Sequence, residues 1–166
     1  YNGNLYVFSG NTSPGGVVTN TLHEYNLNTH IWTSRGTGAT ARQIAFGGIY
    51  NDKLYVFGGY NGSNLNDTWV CDLTNFSWTQ KATGPARRDG STDFFNGKMY
   101  TFGGFAAAQI NEMWVYDIGS NSWTQKASGA SARGGISGEA TYNGRMYIFG
   151  GDREGLFLND LWVYVL

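Results

Sequence analysis

Short hydrophobic runs closed by small residues recur along this chain. Each begins at an aromatic residue followed by a turn pair. Tyr1-Asn2-Gly3 leads to Ser9-Gly10, Tyr50-Asn51-Asp52 to Gly58-Gly59, Phe95-Asn96-Gly97 to Gly103-Gly104, and Tyr142-Asn143-Gly144 to Gly150-Gly151. The second small residue falls at positions 10, 59, 104 and 151, which are steps of 49, 45 and 47. A period of that length marks an array of one supersecondary unit. Residues that recur in every unit are expected to hold it together, and residues that differ between units are where specificity can reside.

The third unit is the most regular. Its first run is Gly90 to Phe95, after which Asn96-Gly97 leads into Met99–Phe102. Asn-Gly between strand-forming residues is a strong hairpin signal, because a type I′ turn needs positive φ at both central positions. Beyond Gly103-Gly104 comes a loop, Phe105 to Ile110, then the run Met113–Asp117, a turn at Gly119-Ser120-Asn121, and the run Ser122–Lys126. The pattern predicts a four-stranded antiparallel meander, with strands a, b, c and d. No sustained 3.6-residue apolar period supports a helix. One such sheet carries aromatics on both faces and cannot bury them alone. Radial stacking of the sheets about an axis would solve this, each covering its neighbour.

The spacing of further residues resembles the kelch repeat. Gly-Gly closes strand b at Gly58-Gly59, Gly103-Gly104 and Gly150-Gly151, with Ser9-Gly10 as a departure. Strand c opens on Asn66-Asp67-Thr68-Trp69, Asn111-Glu112-Met113-Trp114 and Asn159-Asp160-Leu161-Trp162. Trp32, Trp78 and Trp123 mark strand d, and an arginine precedes strand a at Arg42, Arg87 (or its neighbour Arg88) and Arg133. The resemblance covers the whole chain and implies an all-β kelch β-propeller segment of about 3.5 repeats: 1–41 with strands b to d, 42–86, 87–132, and 133–166 with strands a to c. Fourteen strands are expected. Kelch propellers resemble closed rings of five to eight blades, so the chain is expected to be part of a larger chain or assembly that supplies further blades. Head-to-tail self-association is the rival. Phase counts against it, because strand c of one copy would meet strand b of the next rather than strand d.

Composition narrows the function. Eleven basic and twelve acidic residues give a net charge of −1, which leaves no electrostatic footprint for nucleic acid. No basic amphipathic stretch suits a membrane surface. Cys71 is the single cysteine, so no disulfide framework exists within the chain. The compartment stays open: Asn-x-Ser/Thr occurs at Asn11, Asn61, Asn66 and Asn75, which permits glycosylation in a secreted setting without showing it.

In a meander the b–c loops and d–a connections share one end of each sheet. The b–c loops differ sharply: Asn11–Asn20, Tyr60–Leu65, Phe105–Ile110 and Asp152–Leu158. Variable loops on a rigid scaffold are where binding is usually built. The partner-binding candidates are therefore Tyr60, Asn61, Asn64, Arg87, Arg88, Phe105, Gln109, Arg153, Glu154 and Phe157. Aromatic residues and arginines are the usual interface anchors. Arg42, Arg87 and Arg133 recur in every unit, which favours a scaffold role over a clamp for carboxylate or phosphate. Arg88 breaks the repeat and is the better functional candidate.

Asp93 and Glu139 fall on strand a, where they are expected to line a wet channel. His23 fills a Trp position, and with His30 it has no third metal ligand nearby. Cys71 stands in the place of Tyr25 and Tyr116, so it reads as packing. No catalytic residue, metal or cofactor is expected. The leading reading is a protein-interaction scaffold. The resemblance also brings rival classes. Copper radical oxidases need a histidine, tyrosine and cross-linked cysteine set, and the specifier proteins a Glu-x₃-Asp-x₃-His arrangement; neither is present. A sialic-acid mutarotase-like isomerase would draw on Glu139, Arg88 and Arg133. Glycan binding would draw on Tyr60 and Phe157.

Overall fold

A computed structural model describes residues 1–13, 16–127, 129–136 and 138–166. It is all-β, with four antiparallel sheets following one another along the chain. The first contains β1 (Asn4–Asn11), β2 (Val18–Asn26) and β3 (Ile31–Thr37). The second contains β4 (Phe46–Tyr50), β5 (Lys53–Phe57), β6 (Thr68–Asp72) and β7 (Ser77–Lys81). The third contains β8 (Ser91–Phe95), β9 (Lys98–Phe102), β10 (Met113–Asp117) and β11 (Ser122–Lys126). The fourth contains β12 (Gly138–Tyr142), β13 (Arg145–Phe149) and β16 (Leu161–Val165), with β14 (Asp152–Arg153) and β15 (Leu156–Phe157) as a small hairpin beside it. The sheets are the a-to-d meanders expected from the sequence, and they form an open arc rather than a closed ring. None of the described residues forms a helix able to cross a membrane.

Two details depart from expectation. The described residues form sixteen strands rather than the fourteen expected, because Asp152–Leu158 folds into the β14–β15 hairpin about Glu154 (φ 53°) and Gly155 (φ 84°), a turn that adjacent positive φ values permit. The first loop is also shorter than Asn11–Asn20. β1 runs through Asn11 and β2 starts at Val18, while Pro14 and Gly15 lie outside the described residues. Ser9, standing where other units have glycine, takes φ 63°, and the β1–β2 register shifts there.

The core lies between sheets, not within them, because alternate residues of each strand face opposite neighbours. Tyr6, Phe8 and Leu22 meet Leu54, Val56, Cys71 and Trp78. Tyr55, Phe57 and Val70 meet Met99, Tyr116 and Trp123. Tyr100, Phe102, Met113 and Val115 meet Met146, Ile148, Trp162 and Tyr164. The strand-d tryptophan of each complete sheet lies on the strand-b phenylalanine of the sheet before it: Trp78 on Phe8 at 4.6 Å and Trp123 on Phe57 at 4.3 Å between ring centroids. Cys71 belongs to this packing, and burial pushes its thiol up to about 11.

The recurring arginine explains most of the remaining repeat motif. Arg42 is fully buried and forms a bidentate pair with Asp67, both bonds 2.8 Å, while also donating to the Gly58 and Thr40 carbonyls. Its own carbonyl accepts the Gly10 N–H of the preceding sheet. Arg133 repeats this with Asp160 and Gly150, and its carbonyl accepts from Gly104. Arg87 pairs with Glu112 at 2.6 Å. Each acid also accepts the indole N–H of the tryptophan two residues on, at Trp69, Trp114 and Trp162. Gly59 (φ 100°) shows why glycine is required here, because a Cβ would come within 2.9 Å of the Gln43 carbonyl oxygen. Arginine, glycine pair, acid and tryptophan thus form one network that ties each sheet to the previous one.

Candidate protein-interaction site

The inner edge of the arc is formed by strands β4, β8 and β12, which lie next to one another in succession. At one end of that edge the segment after each fixed arginine pairs with the start of the b–c loop of its own sheet. Gln43 bridges Tyr60, Arg88 bridges Phe105, and Gly134 bridges Asp152. The next residue in each segment takes a left-handed conformation: Ile44 (φ 46°), Asp89 (φ 63°) and Gly135 (φ 57°). These residues are chained across sheets, Asp89 N–H donating to the Ile44 carbonyl and Gly135 N–H to the Asp89 carbonyl. A β-branched residue is uncommon there, and Ile44 leaves its side chain exposed. It was missing from the sequence reading; aligning it with Gly135 is the signal that would have found it.

Arg88 is the centre of this surface. Its guanidinium carbon lies 4.4 Å from the Tyr60 ring centroid and 4.5 Å from that of Phe105, an aromatic sandwich that favours a cation. It also donates to the Asn64 side-chain carbonyl. Among the described residues no carboxylate lies within ion-pair distance of it. Asn64 and Gln109 are drawn into holding neighbouring loops. Asn64 donates to the Ala106 carbonyl at 2.6 Å, while Gln109 donates to Asp152 and accepts from the Glu154 N–H. The β14–β15 hairpin is thereby fixed with Arg153, Glu154 and Phe157 exposed, the last at 86 %. Asn61 is exposed at the tip of the second loop.

With this geometry the family can be decided. The sequence model of the KLHDC2/KLHL20/DRC7 kelch-repeats domain matches residues 1–166. The chain belongs to the kelch-repeat family. It is 34 % identical over 82 residues to mouse kelch domain-containing protein 1, covering 45 % of this chain and 20 % of that one. It is 30 % identical over 101 residues to rat kelch domain-containing protein 10, covering 54 % of this chain and 23 % of that one. It is also 40 % identical over 58 residues to human leucine-zipper-like transcriptional regulator 1, covering 32 % and 7 %. The matches therefore span less than a quarter of each of these relatives. Kelch-repeat domains commonly serve in protein interaction.

Within this kelch scaffold one expected contact is removed. Arg87 is only 1 % exposed and is held by Glu112, so it cannot meet a partner from its buried position. Burial lowers its pKa, and the Glu112 carboxylate opposes that. Arg42 and Arg133 are likewise engaged within the fold, so the three recurring arginines do not form a clamp. The isomerase constellation loses Arg133 for the same reason, since both its terminal nitrogens bind Asp160. Glu139 and Asp93 do approach each other on the inner strands. Desolvation, reinforced by the Asp93 carboxylate, pushes the Glu139 carboxyl above its ordinary value.

Proposed function

We propose that this kelch segment is a protein-binding scaffold that engages its partner through the b–c loops and d–a segments. The Tyr60–Arg88–Phe105 stack is the anchor, and Asn61, Arg153, Glu154 and Phe157 form the adjoining contact surface. The single observation behind this reading is Arg88. It departs from the repeat, has no carboxylate within ion-pair distance among the described residues, and is held between two rings instead of waving freely. A preorganised arginine flanked by aromatics loses little conformational entropy on binding, which is the usual economy of an interface anchor. Asn64 and Gln109 act as positioning residues for that surface.

A photo-crosslinking residue at Phe157 in the intact protein is expected to capture a protein partner, and Arg88→Ala is expected to abolish the capture. The same crosslinker at Thr124, exposed on β11, should give none. Equal capture from Thr124, or capture unaffected by Arg88→Ala, would show that the partner uses another face.

A further inference from the structure

Asn-Gly occurs four times in the chain, at Asn2-Gly3, Asn61-Gly62, Asn96-Gly97 and Asn143-Gly144. Three of the four are a–b hairpin turns held in one conformation. Asn2, Asn96 and Asn143 are left-handed, with φ 48°, 45° and 47°, and their glycines follow at φ 70°, 73° and 67°. The glycine carbonyls accept from the N–H groups of Leu27, Ile118 and Leu166, so the residue after strand c grips each of these turns. Gly97 N–H is held as well, donating to Tyr50 Oη.

Asn61-Gly62 is built differently. It stands at the exposed tip of the second b–c loop, between the bridged residues Tyr60 and Asn64. Asn61 N–H donates to the Ser63 carbonyl at 3.2 Å, but among the described residues neither the N–H nor the carbonyl of Gly62 has a hydrogen-bond partner. Beyond its chain neighbours, no heavy atom lies within 4 Å of the point that a Gly62 Cβ would occupy. The third loop closes the same way, with Phe105 bridging Gln109 and Ala106 N–H donating to the Ala108 carbonyl. Ala106-Ala107 stands there in place of Asn61-Gly62, so closing the loop does not require Asn-Gly.

We propose that Asn61 is a site of spontaneous deamidation, which places a carboxylate beside the Arg88 stack. The Gly62 backbone nitrogen attacks Asn61 Cγ and gives up its proton, forming the C–N bond of a five-membered succinimide. The C–N bond of the side-chain amide breaks, and its nitrogen leaves as ammonia. Water then adds to one of the two imide carbonyls and opens the ring, giving aspartate or isoaspartate at position 61. The attack needs an amide nitrogen that is not engaged elsewhere, a backbone able to rotate toward the side chain, and no Cβ on the following residue to obstruct it. Gly62 supplies each, because a loop tip with few backbone hydrogen bonds opens at little free energy. The three hairpin turns lack the second.

The consequence rests on the reading of Arg88 as the partner anchor. Tyr60, on which Arg88 stacks, directly precedes Asn61, and Asn64, to which Arg88 donates, closes the same loop. Among the described residues no carboxylate lies within ion-pair distance of Arg88. A carboxylate formed at position 61 provides one within the loop that Arg88 already touches, and charge-assisted bonds to a guanidinium are the stronger kind. The arginine is then paired within its own chain before a partner arrives, and the anchor weakens as the protein ages.

Ageing the intact protein, made without glycosylation, in mildly alkaline buffer at body temperature tests the chemistry. Peptide mass spectrometry is expected to find the amide-to-carboxyl mass gain at Asn61 well before Asn2, Asn96 or Asn143, and an isoaspartyl methyltransferase should label the same peptide. Asn61→Ala should remove that label. Conversion spread evenly over the four sites, faster conversion at a hairpin turn, or label undiminished in Asn61→Ala would overturn the assignment. The effect on the anchor is read separately, by capture through the Phe157 crosslinker. Asn61→Asp should capture about fivefold less than Asn61→Ala, the upper end of what an exposed ion pair withholds, and high salt should narrow the gap. Equal capture by these two variants would refute the effect on the anchor and leave deamidation at Asn61 standing. Capture by Arg88→Ala equal to that of the unmutated protein would instead refute the anchor reading itself, whatever happens at Asn61.

Discussion

Replacing Arg42 by methionine tests whether the buried ion pair carries the repeat. The substitution removes two bonds to Asp67 and one each to the Gly58 and Thr40 carbonyls. Asp67 is left nearly buried with only the Trp69 indole as a side-chain donor. Breaking a buried pair by removing one member costs about 3–5 kcal/mol, because the other charge stays without compensation. Asp67→Leu alone should fall in the same range by stranding Arg42. In the double variant neither charge remains, and the residual cost of about 2–4 kcal/mol comes from carbonyls and an indole left without partners. The coupling implied by the middle of these ranges is about 5 kcal/mol, above the roughly 0.5–3 kcal/mol usual for contacting pairs, because each single change strands a buried charge. Urea unfolding followed by tryptophan fluorescence measures all four corners of the cycle, and repeating it in 1 M salt tests screening. A buried pair should keep its coupling there. Additive single effects, or coupling that vanishes in salt, would refute the view that this pair is a desolvated structural link.

Three further outcomes follow from the same geometry. Gly104→Ala should destabilise the chain by roughly 1–3 kcal/mol, because φ is +98° and a Cβ would stand 2.4 Å from the Arg88 carbonyl oxygen; an unchanged urea midpoint would contradict this. Stability should fall in acid. Arg133 and Trp162 hydrogen bonds hold the Asp160 carboxyl well below its ordinary value, and at Asp67 bonds from Arg42 and Trp69 outweigh the burial that opposes ionisation. Folded pKa values depressed in this way contribute stability that is full above the unfolded value near 3.8 and is lost as pH falls through the folded values. Melting temperatures from pH 7 to pH 2 should show that loss, and Asp160→Asn should flatten it. Cys71 should resist a thiol reagent at pH 8 until the chain is unfolded in urea, since it is buried with its thiol pushed up to about 11; rapid native labelling would place it outside the core.

The fold was legible because its determinants are local and repeated. Asn96 (φ 45°) and Gly97 (φ 73°) form the turn that their identities announce, and Tyr50-Asn51-Asp52 does the same with φ 46° and 61°. Repetition also separated scaffold from surface: Cys71, read as packing, is buried, and Trp78 and Trp123, at one recurring position, pack between sheets. Long-range pairing was harder to read. Arg87 stood among the partner-binding candidates although its recurrence favours a scaffold role, and the pairing that buries it, with Glu112, joins residues 25 apart and uses a glutamate where the other sheets use aspartate. The β14–β15 hairpin was hidden because Glu154 is not a residue that announces positive φ. Ile44 was hidden for the same reason, its conformation being imposed by the hydrogen-bonded chain through Asp89 to Gly135.

That chain also explains why variation at the mouth is confined to so few positions. In each unit the arginine is held by its acid and by the glycine carbonyl, and its own carbonyl is held by the sheet before it. Two residues later the backbone is left-handed and bonded to the corresponding residue of a neighbouring sheet. Between these fixed points stands a single position, occupied by Gln43, Arg88 or Gly134, whose backbone is paired but whose side chain is unconstrained by the network. Its bridge partner in the b–c loop, Tyr60, Phe105 or Asp152, is the other free choice. Only the third sheet combines a cation with an aromatic at these two positions, and the neighbouring Tyr60 completes its sandwich. A surface built from one such pair per sheet can change its chemistry without disturbing the arginine–acid–glycine network beneath it, which is the physical reason for proposing Arg88, rather than the buried Arg87, as a partner contact.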